Sequence, residues 1–114
     1  MKGHYTININ SSKKEMNIKI VGNFTSEQAQ QYINEYTSKV NTINASDYTL
    51  FLDCKDLNVI TQELTASLEA CYKLYNASGF NKTIIEIKKS AILKMQLTRI
   101  ARGVGFNPEF LEVA

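Results

Sequence analysis

The sequence predicts one α/β domain built on a mixed, mostly parallel sheet of four to five strands. Three observations lead there. Apolar runs of period two alternate along the chain with runs of helical period. Their order, β-β-α-β-α-β-α, contains two β-α-β crossovers, which require parallel neighbouring strands with helices packed on the sheet. The length of 114 residues fills a single domain, 1–114, and no linker, repeat or low-complexity tract divides it.

The first strand is read from Tyr5, Ile7 and Ile9, which share one face while Thr6 and Asn8 take the other. A polar turn, Asn10-Ser11-Ser12-Lys13-Lys14, leads into a second alternating run through Met16, Ile18 and Ile20, so the two strands form an antiparallel hairpin. Thr25 followed by Gln28 makes a capping box for the first helix, with a stripe through Ala29, Ile33, Tyr36, Val40 and Ile43 and an end near Asn44. In the third strand Leu50-Phe51-Leu52 places apolar residues on both faces, as in a strand covered on each side. The second helix starts at Thr61, carries Leu64, Leu68, Cys71, Tyr72 and Tyr75 as its stripe, and stops at Gly79, suited to the left-handed residue after a helix. Thr83 to Ile87 is the fourth strand. Ser90 caps a third helix carrying Leu93, Leu97, Ile100, Ala101 and Val104, and the tail Phe110-Leu111-Glu112-Val113 offers an edge strand. Tyr32, Tyr36, Tyr72 and Tyr75 fall at the core edge, ring buried and hydroxyl wet.

Composition excludes several classes. Hydrophobic residues at 44 % and charged residues at 21 % are ordinary for a soluble globular domain. A net charge of +2 is too small to imply nucleic acid or a membrane surface. No apolar run approaches the roughly 20 residues of a membrane span, and the start of the chain lacks the apolar core of a signal peptide. Two cysteines, Cys54 and Cys71, are too few for a disulfide framework or a structural zinc site. They read as buried thiols in a cytoplasmic protein. No cofactor motif is present: Gly103-Val104-Gly105 lies at the wrong end of a helix to cradle phosphate.

The layout resembles the STAS domain, the fold of the bacterial anti-sigma-factor antagonists, over nearly the whole chain from about Tyr5 to Gly105. The residues that carry the resemblance are Gly22-Asn23-Phe24-Thr25 before the first helix, Leu50-Phe51-Leu52-Asp53 through Leu57, and Gly79-Phe80 before the fourth strand. The resemblance implies a non-enzymatic regulator that binds a protein partner, kinase-like or sigma-regulating. In that family the loop before the second helix reads Asp-Ser-Ser/Thr-Gly, and a partner kinase phosphorylates one hydroxyl. Here the motif is not retained. Matching from Leu57 puts Glu63 at the phosphoacceptor position; matching from Leu64 and Leu68 puts Gln62 there, with Thr61 just before it. The resemblance thus places the partner surface at Asn58, Thr61, Gln62 and Glu63. A carboxylate in the first turn suits the partial positive charge of a helix N-terminus, so Glu63 is either a good first-turn residue or a permanent stand-in for the phosphate.

Charge is distributed unevenly. Residues 81–102 hold Lys82, Lys88, Lys89, Lys94, Arg99 and Arg102 against Glu86 alone, a net +5, whereas residues 1–80 carry −1. Lys89, Lys94, Arg99 and Arg102 are therefore candidates for binding an anion, and a small anionic-ligand or nucleotide-binding module is the alternative function. Nucleic acid is not indicated, because Phe80 and Phe106 are not interleaved with the basic residues as stacking platforms. Catalysis finds little material. His4 is the only histidine, and Asp53 and Asp56 read as turn formers more than as an acid–base pair.

Overall fold

The computed structural model describes residues 3–22, 24–57 and 61–113, apart from the Glu63 side chain. Two strands, β1 (His4–Asn10) and β2 (Glu15–Val21), form the expected hairpin, with Tyr5 opposite Ile20 and Ile7 opposite Ile18. The chain continues through α1 (Ser26–Val40), a 3₁₀ turn at Ala45–Asp47, β3 (Thr49–Asp53), α2 (Gln62–Ser78), β4 (Lys82–Lys88), α3 (Ala91–Gly103) and β5 (Glu109–Val113). The tail is thus a fifth strand. Strand order follows chain order, with β1–β2 antiparallel and every later pair parallel.

That order has a physical consequence. Three successive crossovers all step one strand in the same direction, and right-handed crossovers of that kind lay their helices on one face of the sheet. The helices pack side by side, α2 between α1 and α3. Register and burial agree with a single covered face. Ile7, Ile18, Leu52 and Ile85 stand across from one another and are buried, as are Met16, Leu50 and Ile87. The opposite face presents Thr6, Asn8, Asn17 and Lys19, with Phe51, Ile84 and Glu86 half-buried among them. The expectation that β3 is covered on both sides is corrected here. Phe51 stands beside Ile84 on the open face, and among the described residues no second layer of helices lies over it.

The capping box at Thr25 forms as expected: the Gln28 N–H donates to Thr25 Oγ1 at 3.2 Å and the Thr25 N–H donates to the Gln28 side chain at 3.0 Å. α1 ends at Val40, so Ile43 sits in the following turn and the buried stripe runs through Ala29, Tyr32 and Tyr36. Ser90 caps α3, and Gly79 (φ +73°) closes α2 in the left-handed conformation.

The tyrosines are deeper than their sequence positions suggest. Tyr32, Tyr36, Tyr72 and Tyr75 are all buried, hydroxyls included. They form a band of rings between sheet and helices, with Tyr5 edge-on to Tyr32 at 5.1 Å, Tyr36 edge-on to Tyr75 at 5.1 Å and Tyr72 against Phe106 at 4.9 Å. The polar ends are satisfied inside the core. The Tyr32 and Tyr75 hydroxyls bond each other, and Tyr36 donates to Ser78 Oγ at 2.7 Å, which itself donates to the Leu74 carbonyl. Tyr72 is the exception: 1 % exposed, its hydroxyl has no hydrogen-bond partner among the described residues.

Candidate functional site

The C-terminal ends of β2 and β3 are tied together by Gly22. At φ +77° it takes a conformation that a side chain disfavours, and its N–H donates to the Asp56 carbonyl at 2.9 Å in a bridge alongside Leu57. That bridge sets the loop after β2 beside the loop after β3. Ligand sites of open α/β sheets form at this end. The Cys54 N–H donates to the Glu86 carbonyl and the Leu57 N–H to the Cys54 carbonyl, so the chain turns sharply before α2.

Between the first turns of α1 and α2 these loops leave an apolar cleft of about 80 Å³. Phe24 and Leu57 come from the two loops, Leu64 and Leu68 from α2, and all four are half-buried. Its floor is Tyr32, Cys71 and Tyr75. No charged side chain lines it among the described residues. Burial pushes the Cys71 thiol up to about 12, and burial pushes the Cys54 thiol up to about 12 with the Asp53 carboxylate adding to it. Both thiols are free and protonated at neutral pH, hence poor nucleophiles.

Of the residues expected to form the partner surface, Thr61 and Gln62 open α2 just ahead of Leu64, which lines the cleft, and neither lines it. Thr61 is the N-cap of α2, extended at φ −79°, ψ 160°, and exposed. Its carbonyl accepts from the Leu64 N–H at 3.1 Å, and its own hydroxyl makes no capping bond among the described residues. Gln62 is the first helical residue and is exposed. Glu63 follows it in the first turn, its side chain outside the described residues, and Asn58 lies outside them altogether. Sequence reasoning did not anticipate Phe24 and Leu57 as walls of a cleft. The signal was present, since each is a large apolar residue in a loop with no place in any stripe.

Asp53 at the end of β3 and Asp56 in the loop after it are both paired with lysines. Asp53 lies 3.9 Å from Lys55, which also reaches Glu86 at 3.1 Å, and Asp56 pairs with Lys88 at 3.5 Å. The Glu86 hydrogen bond and the carboxylates of Asp53 and Glu86 raise the Lys55 ammonium above its ordinary range. Of the candidate anion-binding residues, Lys94, Arg99 and Arg102 line one groove on α3, where Lys94 pairs with Glu112 at 3.6 Å, while Lys89 precedes α3 and does not line it.

No family model and no curated protein matches the chain. Among solved structures, it is similar to an uncharacterized protein of the DUF3478 family with a SpoIIAA-like fold from Shewanella loihica PV-4, with a TM-score of 0.65 and 18 % identity over 98 % of this chain and 86 % of that one. A five-stranded mixed sheet with three helices on it, matched over nearly the whole chain, is the SpoIIAA-like α/β fold expected from the resemblance to STAS domains.

Proposed function

We propose that this chain is a non-enzymatic regulatory module that binds a protein partner at the start of α2, and that serine phosphorylation does not switch it. The observation that carries this reading is the apolar cleft lined by Leu64 and Leu68, which follow Thr61 and Gln62 in the opening turns of α2. Its volume, about 80 Å³, is smaller than the roughly 150 Å³ cavity that accommodates benzene. That room suits an aliphatic side chain of a protein partner better than a nucleotide. Half-buried leucines line the cleft, and the exposed polar residues Thr61 and Gln62 precede them on α2, which fits the apolar core and polar edge of an interface. A kinase-like or sigma-regulating partner is the class that the STAS resemblance suggests. Two free, buried thiols fit work in the reducing cytoplasm.

The test is capture from lysate of the source organism with the parent and three variants, Glu63→Lys, Leu64→Asp and Asn8→Asp, the last on the open sheet face. A partner retained by the parent and by Asn8→Asp but lost by Leu64→Asp supports the reading. Loss with Glu63→Lys as well extends the surface to the first turn. A partner captured equally by all four rules the cleft out.

A further inference from the structure

The exposed large hydrophobic side chains of the described residues all belong to the last two elements: Ile92 (61 %) and Met95 (52 %) on α3, and Leu111 (47 %) on β5. On α3 the spacing of Ile92, Met95, Arg99 and Arg102 is three, four and three, so apolar and cationic groups share one outward stripe. β5 ends the sheet order. The Val113 carbonyl accepts from the Lys89 N–H at 2.9 Å, so its backbone groups face β4. In a parallel pair that orientation alternates. The N–H and C=O groups of Phe110 and Glu112 therefore face outward, unpaired by any described strand. Between this edge and the flank of α3 runs a groove of about 570 Å³, lined by Met95, Thr98, Arg99 and Arg102 with Lys94 and Glu112 at its base.

We propose that this groove binds an extended acidic segment of a protein partner, which adds to the sheet as a sixth strand beside β5. Strand addition at a free edge takes its affinity from main-chain hydrogen bonds and its specificity from pockets for alternate side chains. Both are present. Phe110 and Glu112 supply the outward backbone groups, and residues of the incoming strand that point to the helix side enter the groove against Met95, Arg99 and Arg102. Residues pointing to the open face meet Leu111, which stands across from Glu86 on that face. Charge selects the occupant. Glu112 is paired with Lys94 and Glu109 with Lys82, while Arg99 and Arg102 have no ion-pair partner among the described residues. The groove therefore has cationic capacity to spare, and carboxylates on the partner satisfy it. A second copy of this chain fits worse, because the carboxylates its β5 would bring, Glu109 and Glu112, are already paired with Lys82 and Lys94 and leave Arg99 and Arg102 unsatisfied. This site is separate from the α1–α2 cleft and does not depend on it.

The experiment is selection of displayed random decapeptides on the intact protein, followed by binding of the best synthetic peptide. Enriched peptides should alternate Asp or Glu with apolar residues. Arg99→Glu with Arg102→Glu should weaken binding by about tenfold or more, as removal of complementary charge does. Glu112→Pro deletes an outward N–H without touching the ladder to β4; it should abolish binding, while Glu112→Ala keeps it. Urea midpoints verify that each variant is folded, and a peptide methylated on alternate backbone nitrogens, which should fail to bind the parent protein, makes the same test without altering the domain. Leu64→Asp should leave peptide binding unchanged. The proposal is overturned if no peptide is enriched, if neutral or basic peptides win, or if Glu112→Pro binds as Glu112→Ala does. It is also overturned if millimolar inorganic phosphate displaces the peptide, or if the protein alone dimerises through β5.

Discussion

Three Tyr→Phe substitutions in one core should differ in sign. Tyr32, Tyr72 and Tyr75 are equally buried, and the change removes one oxygen from each. Tyr75 shares its hydrogen bond with Tyr32, so Tyr75→Phe leaves the Tyr32 hydroxyl buried and unpaired. An orphaned buried hydroxyl costs about 1–3 kcal/mol. Tyr72→Phe removes a hydroxyl that is already orphaned, which should be neutral or stabilising by up to about 1 kcal/mol. The two variants should therefore lie about 1–4 kcal/mol apart. At roughly 4 °C per kcal/mol for a domain near this size, that is about 4–16 °C in Tm. The double variant Tyr32→Phe/Tyr75→Phe removes both ends of the bond, so it should cost clearly less than the two single changes added together. Urea unfolding at pH 7 reads all four. If Tyr72→Phe destabilises as much as Tyr75→Phe, the Tyr72 hydroxyl has a partner and this reading of the core is wrong.

Neighbouring positions on β3 should respond unequally: Leu52→Ala costs about 2–5 kcal/mol by opening a cavity under the helices, while Phe51→Thr on the open face costs about 1 kcal/mol or less, and equal losses would mean that both faces are covered. Thr25→Ala should cost about 0.5–2 kcal/mol through loss of the capping box, read as a lower urea midpoint with unchanged slope; an unchanged midpoint would show that the box contributes nothing. Cys54 and Cys71 titrate near 12 when folded against 9.0 when free, so the folded state binds their protons more tightly. Their contribution is complete below pH 9.0 and is lost as pH climbs toward 12, with Tyr32 and Tyr75 adding to the loss above 10.0. A urea midpoint that stays flat from pH 8 to 11 would contradict this. The same burial should make both thiols slow to react with iodoacetamide at pH 8 until urea is added.

The element order was readable because each run commits to one period. The alternation of Tyr5 to Ile9, the Thr25–Gln28 box and Gly79 as a helix stop are local signals, and the structure realises all of them. What was misread is relational. Apolar residues on both sides of β3 look the same whether a second helix layer or a strand neighbour such as Ile84 accounts for Phe51. Which face each helix covers depends on strand order, and no single run of residues carries that. The tyrosines show a similar limit. A buried hydroxyl needs a partner, and those of Tyr32 and Tyr75 lie 43 residues apart in sequence. At the candidate site the start of α2 at Thr61 and Gln62 was legible. The cleft itself was not, because Gly22 and Leu57 meet only once β2 and β3 are parallel neighbours.

The central claim is that a protein partner is held at the mouth of the α1–α2 cleft. Site-specific photocrosslinking in cells of the source organism tests it most directly, with a benzophenone amino acid placed at Gln62 and, as a control, at Asn8 on the open face. The account predicts a discrete crosslinked protein from Gln62, absent from Asn8 and lost when Leu64→Asp is added. A crosslink from Asn8 alone, or one from Gln62 that persists with Leu64→Asp, would contradict it.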